Sequence, residues 1–202
     1  MEKSRSGRMV HSGAGWVRRP DSVNRPRPLD TYDQGVMTTS LMVASGDGDV
    51  EAVKRLLATP GIDVNEACEY GTTPLSWASG KSDAEAWKLT LVVKELLGVP
   101  GIDVNKADGI GATPLYWACG RGRHEVVKLL LAAPGIDVNQ ADDQGATPLY
   151  RASQGNLTGH VEVVRALLAA PGVDVTMAAD DGTTPLSVAR TPDIIRLLQS
   201  GA

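Results

Sequence analysis

Three histidines and two cysteines are the side chains of this 202-residue sequence best suited to proton transfer, nucleophilic attack or metal binding. His11, His124 and His160 lie far apart, and none stands beside a nucleophile in a recognisable setting. No G-x-S-x-G, H-E-x-x-H or phosphate-cradling glycine loop occurs, because the glycines recur with a repeat and serve turns. Cys68 and Cys119 are too few for a structural zinc site, which needs four ligands, so both read as free thiols, Cys119 as a small core residue. No catalytic, cofactor-binding or metal-binding residue is expected, and the chain does not read as an enzyme. A different constellation is more informative: Trp77 and Trp117 occupy the same place in successive segments, Arg151 takes that place next, and Tyr116 and Tyr150 stand beside them. Two readings stay open. One is an aromatic ladder ending in a cation that binds an acidic or extended peptide, and the other is packing between segments.

The elements that position these residues are legible in Gly111 to Asn139, GATPLYWACGRGRHEVVKLLLAAPGIDVN. Thr113 is suited to cap a helix whose first residue is Pro114, and that helix should run to about Gly120. Gly120 and Gly122 end it. From Arg123 onward, Val126, Val127, Leu130 and Leu131 recur at the spacing of a second amphipathic helix. Pro134-Gly135 closes that helix in a tight turn, and Ile136 to Asn139 leads out as an extended piece. Two antiparallel helices and a protruding turn leave one apolar face that only a neighbouring unit can cover.

The neighbours are present. Thr39-Ser40-Leu41, Thr73-Pro74-Leu75, Thr113-Pro114-Leu115, Thr147-Pro148-Leu149 and Thr184-Pro185-Leu186 each open a first helix, and PGIDVN-like segments follow at Pro60, Pro100, Pro134 and Pro171. The units span about 34–65, 66–105, 106–139, 140–176 and 177–202, the first and last being atypical end caps. The step from Thr73 to Thr113 is 40 residues and that from Thr147 to Thr184 is 37, against 34 elsewhere. The six extra residues lie near Lys81 to Trp87, in the helix–helix loop or as an extension of the second helix. The three extra ones lie at Asn156-Leu157-Thr158 and are expected in the loop. That tripeptide is formally a glycosylation sequon, read as silent without a secretory signal.

The composite pattern G-x-T-P-L-x-x-A, then a V-V-x-x-x-L-L-like helix, then D-V-N, resembles the ankyrin repeat family from about Gln34 to the end. The resemblance implies an all-α solenoid of helix-turn-helix units with protruding β-hairpin-like turns, about five units in all. Here P-G-I-D-V-N makes the period 34 where the family has 33. His124 and His160 open second helices, where the family often places a His after Gly, and are therefore read as structural. Cys68 sits where the family has a hairpin Asp, matching Asp108 and Asp142, and is expected to be the more exposed thiol. The resemblance further implies a partner protein held on a concave face made by the hairpin tips and first helices. Carried over position by position, the tips are Glu69, Tyr70 and Thr72; Gly109, Ile110 and Ala112; Asp143, Gln144 and Ala146; Asp180, Asp181 and Thr183. Lys81, Trp117, Arg121 and Arg151 are added from the first helices and their ends.

The net charge of −4 conceals an asymmetry: residues 1–30 carry seven Lys/Arg against three Asp/Glu, leaving the remainder at 13 against 21. An acidic body argues against nucleic acid as its partner. Residues 1–33, rich in Arg, Ser, Gly and Pro, read as a flexible basic tail, and residues 34–202 as the repeat domain. The alternative function is a regulatory or targeting module whose tail contacts nucleic acid or directs the chain to an organelle, its Arg-rich character also being compatible with a mitochondrial transit peptide. No apolar run is long enough for membrane insertion. The expectation is a cytoplasmic or nuclear monomer that binds another protein, with no small-molecule substrate.

Overall fold

The computed structural model describes residues 9–12, 15–18, 39–81 and 86–201. Ten α-helices lie among them: α1 (Ser40–Asp47), α2 (Val50–Leu57), α3 (Pro74–Gly80), α4 (Ala86–Leu97), α5 (Pro114–Gly120), α6 (His124–Leu131), α7 (Pro148–Ser153), α8 (Thr158–Leu168), α9 (Pro185–Val188) and α10 (Pro192–Ser200). In the N-terminal tail, β1 (Met9–Ser12) pairs antiparallel with β2 (Gly15–Arg18), Met9 opposite Arg18. The rest of the expected flexible tail lies outside the described residues.

Each first helix starts where its Thr predicts. Thr39, Thr73, Thr113, Thr147 and Thr184 accept a hydrogen bond from the backbone N–H three residues on, and all but the first are followed by Pro. Both devices suit free N–H groups at a helix start, where the side chain supplies an acceptor and Pro lacks a donor that would go unused. Thr191 repeats the device before α10. The first helices pack one on the next in a row from α1 to α9, and the second helices form a parallel row from α2 to α10. Between the rows runs the main core, in which Leu75, Leu96, Leu115, Leu130, Leu149 and Leu167 are buried.

The insertions are resolved differently from one expectation. α4 and α8 are 12 and 11 residues long, against eight for α2 and α6. Thr158 begins α8, so the three extra residues of the fourth unit lengthen the second helix and do not simply enlarge the loop. In α4 the added turn begins at Ala86 and buries Leu89, which continues the apolar spacing of Val92, Val93 and Leu96. Burying one more leucine favours helix over loop.

A ladder of asparagines ties the units together. Asn65 donates from Nδ2 to the Gly101 carbonyl at 2.7 Å while its Oδ1 accepts from Asp103 N at 2.8 Å. Asn105 makes the same pair with Gly135 and Asp137, and Asn139 with Gly172 and Asp174. The ladder stops at Thr176, which takes the Asn position in the fourth unit and bonds only within its own turn, to Asp174. Asn105→Ala removes two bonds to the next unit and should lower the unfolding free energy by about 1–3 kcal/mol. Urea denaturation checks it; an unchanged midpoint would show that water replaces both bonds without loss.

Candidate interaction surface

The tips are four-residue turns built to one plan. Asp108 accepts from Gly111 N through its carbonyl, Asp142 does the same with Gly145, and Cys68 and Ala179 stand at the first turn position in the second and fifth units. The Asp108 carboxylate also accepts from Ile110 N and Ala112 N, as Asp142 does from Gln144 N and Ala146 N. Successive tips are joined by backbone bonds: Gly109 N to Tyr70 O, 2.7 Å; Asp143 N to Ile110 O, 3.0 Å; Asp180 N to Gln144 O, 2.9 Å. The four tips are therefore one cross-linked strip.

Beneath the strip lies a second core of Met42, Cys68, Trp77, Ala112, Tyr116, Trp117, Ala146 and Tyr150. This settles the tryptophan question toward packing. Trp117 is only 4% exposed and donates from Nε1 to Asp108 Oδ2 at 2.8 Å, which locks the first helix to its own tip. Trp77 lies so close to Gly46 of the preceding first helix that a Cβ there would sit 1.9 Å from its Nε1. Arg151 stacks its guanidinium 5.9 Å from the centre of the Tyr116 ring and donates to Gln154 Oε1, bridging two units. Tyr150 OH meets Thr183 Oγ1 of the next tip at 2.9 Å.

Several expected surface positions are corrected by this core. Thr72 and Ala112 are buried, as is Ala146, because in the second, third and fourth units the residue before the capping Thr turns inward under its tip, whereas Thr183 of the fifth is half-buried. Cys68 is the more exposed of the two thiols, as expected, but at 7% it is still buried, since the apolar layer takes its sulfur where the third and fourth units place the Asp108 and Asp142 carboxylates. Cys119 is fully buried, and burial pushes its thiol pKa up. Lys81 is held in an ion pair to Asp47 at 3.1 Å. Lys81 and Arg121 follow the last residues of α3 and α5, so they sit at the opposite end of the first helices from the tips.

What remains exposed on the strip is Glu69, Tyr70, Ile110, Asp143, Gln144, Asp180 and Asp181. Tyr70 and Ile110 are 49% and 42% exposed. The other end of the strip is acidic. Hydrogen bonds from the Thr183 hydroxyl and backbone N–H hold the Asp181 carboxyl below the usual range, so its charge persists into acid.

Asp108 shifts the other way. Burial raises its pKa, while the bonds from Ile110, Trp117 and Ala112 partly offset that rise. A raised folded-state pKa means that the folded chain holds the proton more tightly than the unfolded one. Asp108 thus contributes most below its unfolded pKa, and the contribution is lost as pH climbs through the folded value. The stability gap between the natural protein and Asp108→Asn should accordingly widen toward acid. Denaturation across a pH series tests the sign, and a gap that narrowed toward acid would contradict it.

His160 and His124 have different surroundings. His160 is buried with Nε2 3.2 Å from the Gly120 carbonyl at the end of α5, where it joins the third and fourth units. Arg123 takes the equivalent place one unit earlier and donates to the Lys81 carbonyl. His124 sits outside the packing and meets Glu125 at 3.0 Å.

Sequence reasoning overlooked the side chains around the first insertion. Trp87 is 62% exposed and Leu91 is 41% exposed, and both border an open groove that also reaches Arg121, Arg123 and Glu125. The signal was available: an aromatic and a leucine four residues apart, on the polar side of the Leu89, Val92, Val93 stripe.

A family model described as ankyrin repeats (3 copies) matches residues 84–179, and a second, described as ankyrin repeats (many copies), matches residues 41–89. The chain belongs to the ankyrin repeat family. Repeats of this family generally serve as protein–protein interaction modules and are generally non-enzymatic scaffolds. No curated protein matches the chain. Among the described residues, no helix is long and apolar enough to cross a membrane.

Proposed function

We propose that the chain is a protein-binding scaffold whose partner lies along the strip of tips, anchored by Tyr70 and Ile110 and completed by Asp143, Asp180 and Asp181. The observation that carries this reading is two large apolar side chains held in water on a cross-linked strip, next to a row of carboxylates. The turn geometry faces this position outward in every described tip, but it does not call for a large apolar side chain at two neighbouring ones. An exposed apolar pair on a backbone already fixed by hydrogen bonds loses little freedom when a partner covers it. The partner suited to it presents an apolar patch beside basic residues. Charge on the acidic end governs the encounter rate, whereas the apolar pair governs residence time.

The test begins with affinity purification on the full chain, followed by titration of the recovered partner. Tyr70→Ala combined with Ile110→Ala should weaken binding by about tenfold or more, with helix content unchanged. Asp180→Asn with Asp181→Asn should chiefly slow association and reduce its dependence on salt. A partner whose affinity ignored both pairs of substitutions would overturn the proposal.

A further inference from the structure

We infer that the chain assembles head to tail with further copies of itself, the outer face of the first unit of one copy packing on the outer face of the last unit of another. The sequence suggests a monomer closed by atypical end units. A repeat stack stays single when its end faces are polar, and neither end of this one is.

Comparing equivalent positions shows which neighbour covers which side chain. Leu41 and Val53 of the first unit are 0% exposed although no described unit precedes them, so their burial depends on the unit that follows. Leu186 and Ile195 hold the same two positions in the fifth unit, which no described unit follows. Leu186 is 43% exposed and Ile195 is half-buried. The opposite face behaves in the mirror sense. Ile194 and Leu198 of the fifth unit are buried against what precedes them, whereas Ala52 and Leu56, at the same positions in the first unit, are only half-buried. In the middle of the stack, Leu115, Val126, Val127 and Leu130 are all buried, because both neighbours are present.

The two ends of the stack thus carry the two uncovered halves of one contact. The chain already makes that contact between consecutive units, where α1 meets α3, α3 meets α5, α5 meets α7 and α7 meets α9. A second copy is the occupant whose surface is already complementary: its Ala52 and Leu56 would cover Leu186 and Ile195 as Val126 and Leu130 are covered within the stack. Because the two faces differ, the contact is heterologous, and each copy that docks presents another open face. Charge opposes the contact at one point. Lys54 of the first unit lies 4.0 Å from Glu95 of the second, and the same geometry between copies sets Arg196 against Arg55. Like charges there make the assembly weaker than the contacts inside the stack, hence reversible.

Sedimentation equilibrium of the full chain over a concentration series tests the inference. The average mass should climb past that of a dimer as concentration rises. Leu186→Glu and Leu56→Glu, one on each face, should each weaken assembly by about tenfold or more with helix content retained. Ala52→Glu replaces Leu56→Glu if the latter unfolds. An equimolar mixture of the two variants should form a complex of two chains and nothing larger, since it restores one intact pair of faces. Arg55→Glu should tighten assembly by about two- to fivefold, because it turns a like-charge contact into an opposite one. Tyr70→Ala with Ile110→Ala should leave assembly unchanged, which separates it from binding at the tips. A chain that stayed monomeric throughout, a dimer that survived Leu56→Glu, or a mixture in which both folded variants remained monomeric would overturn the inference. Looser assembly of Arg55→Glu would overturn it as well.

Discussion

Leu130→Ala should lower the unfolding free energy by about 2–5 kcal/mol, the cost of deleting a fully buried leucine side chain that its surroundings cannot collapse to replace. Leu130 is 0% exposed on α6, and α6 packs against α4 on one side and α8 on the other. A cavity there touches two inter-unit interfaces at once. Because a repeat array is held by contacts between adjacent units, the loss should also uncouple the two halves. Urea unfolding followed by helix content should therefore show both an earlier midpoint and a broader transition. Leu131→Ala is the comparison. Leu131 is next in sequence but only half-buried at the edge of the core, so its loss should be clearly smaller. Equal losses from the two variants would mean that the inward face of α6 has been misassigned.

That assignment could be made from residues alone, and the reason is physical. Helix starts depend on local chemistry: Thr followed by Pro satisfies the first turn from within, so each first helix begins where the sequence places that pair. Apolar spacing likewise identifies the inner face of α6, because helical geometry alone determines which side chains align. The asparagine ladder had no such local signature. Asn65 bonds Gly101 and Asp103, more than thirty residues away, and in isolation an Asn after Asp-Val looks like any turn residue.

The tryptophans show a second limit. A residue type repeated at equivalent positions fits an exposed ladder and a buried contact equally well, because both recur with the unit. Only the carboxylate of Asp108 beneath Trp117, and the closeness of Gly46 to Trp77, distinguish them. Thr72 and Ala112 were misplaced for the related reason that one step along a tight turn reverses the side chain's direction. Tyr70 and Ile110 could be identified as outward because the position two residues later is the one that turns under. For the insertions, length was evident but conformation was not. Leu89 extends the buried stripe of α4 by one turn, and that single leucine makes added helix the lower-energy use of part of the extra chain.

Gly111→Ala should be the most damaging change at the tips, and it links their conformation to their role. Gly111 has φ of +77°, a left-handed conformation that costs a residue with a Cβ about 1–3 kcal/mol. Steric overlap adds to that strain, because an added Cβ would lie 2.7 Å from Asp143 N, the backbone donor that joins this tip to the next through Ile110 O. Relief requires moving the third tip away from the fourth. The variant should thus lose stability and also release the Asp143 amide, seen as faster hydrogen exchange at that N–H with little change at Val127 in the main core. Gly135→Ala separates the two causes. Gly135 shares the left-handed φ of +77° but has nothing within 4 Å of an added Cβ, so it should incur the strain without loosening the strip. If the tips bind as proposed, Gly111→Ala should weaken the partner even though Tyr70 and Ile110 are intact, whereas Gly135→Ala should not. Similar loss of partner binding in both would mean that global stability, and not the fixed spacing of the tips, controls the interaction.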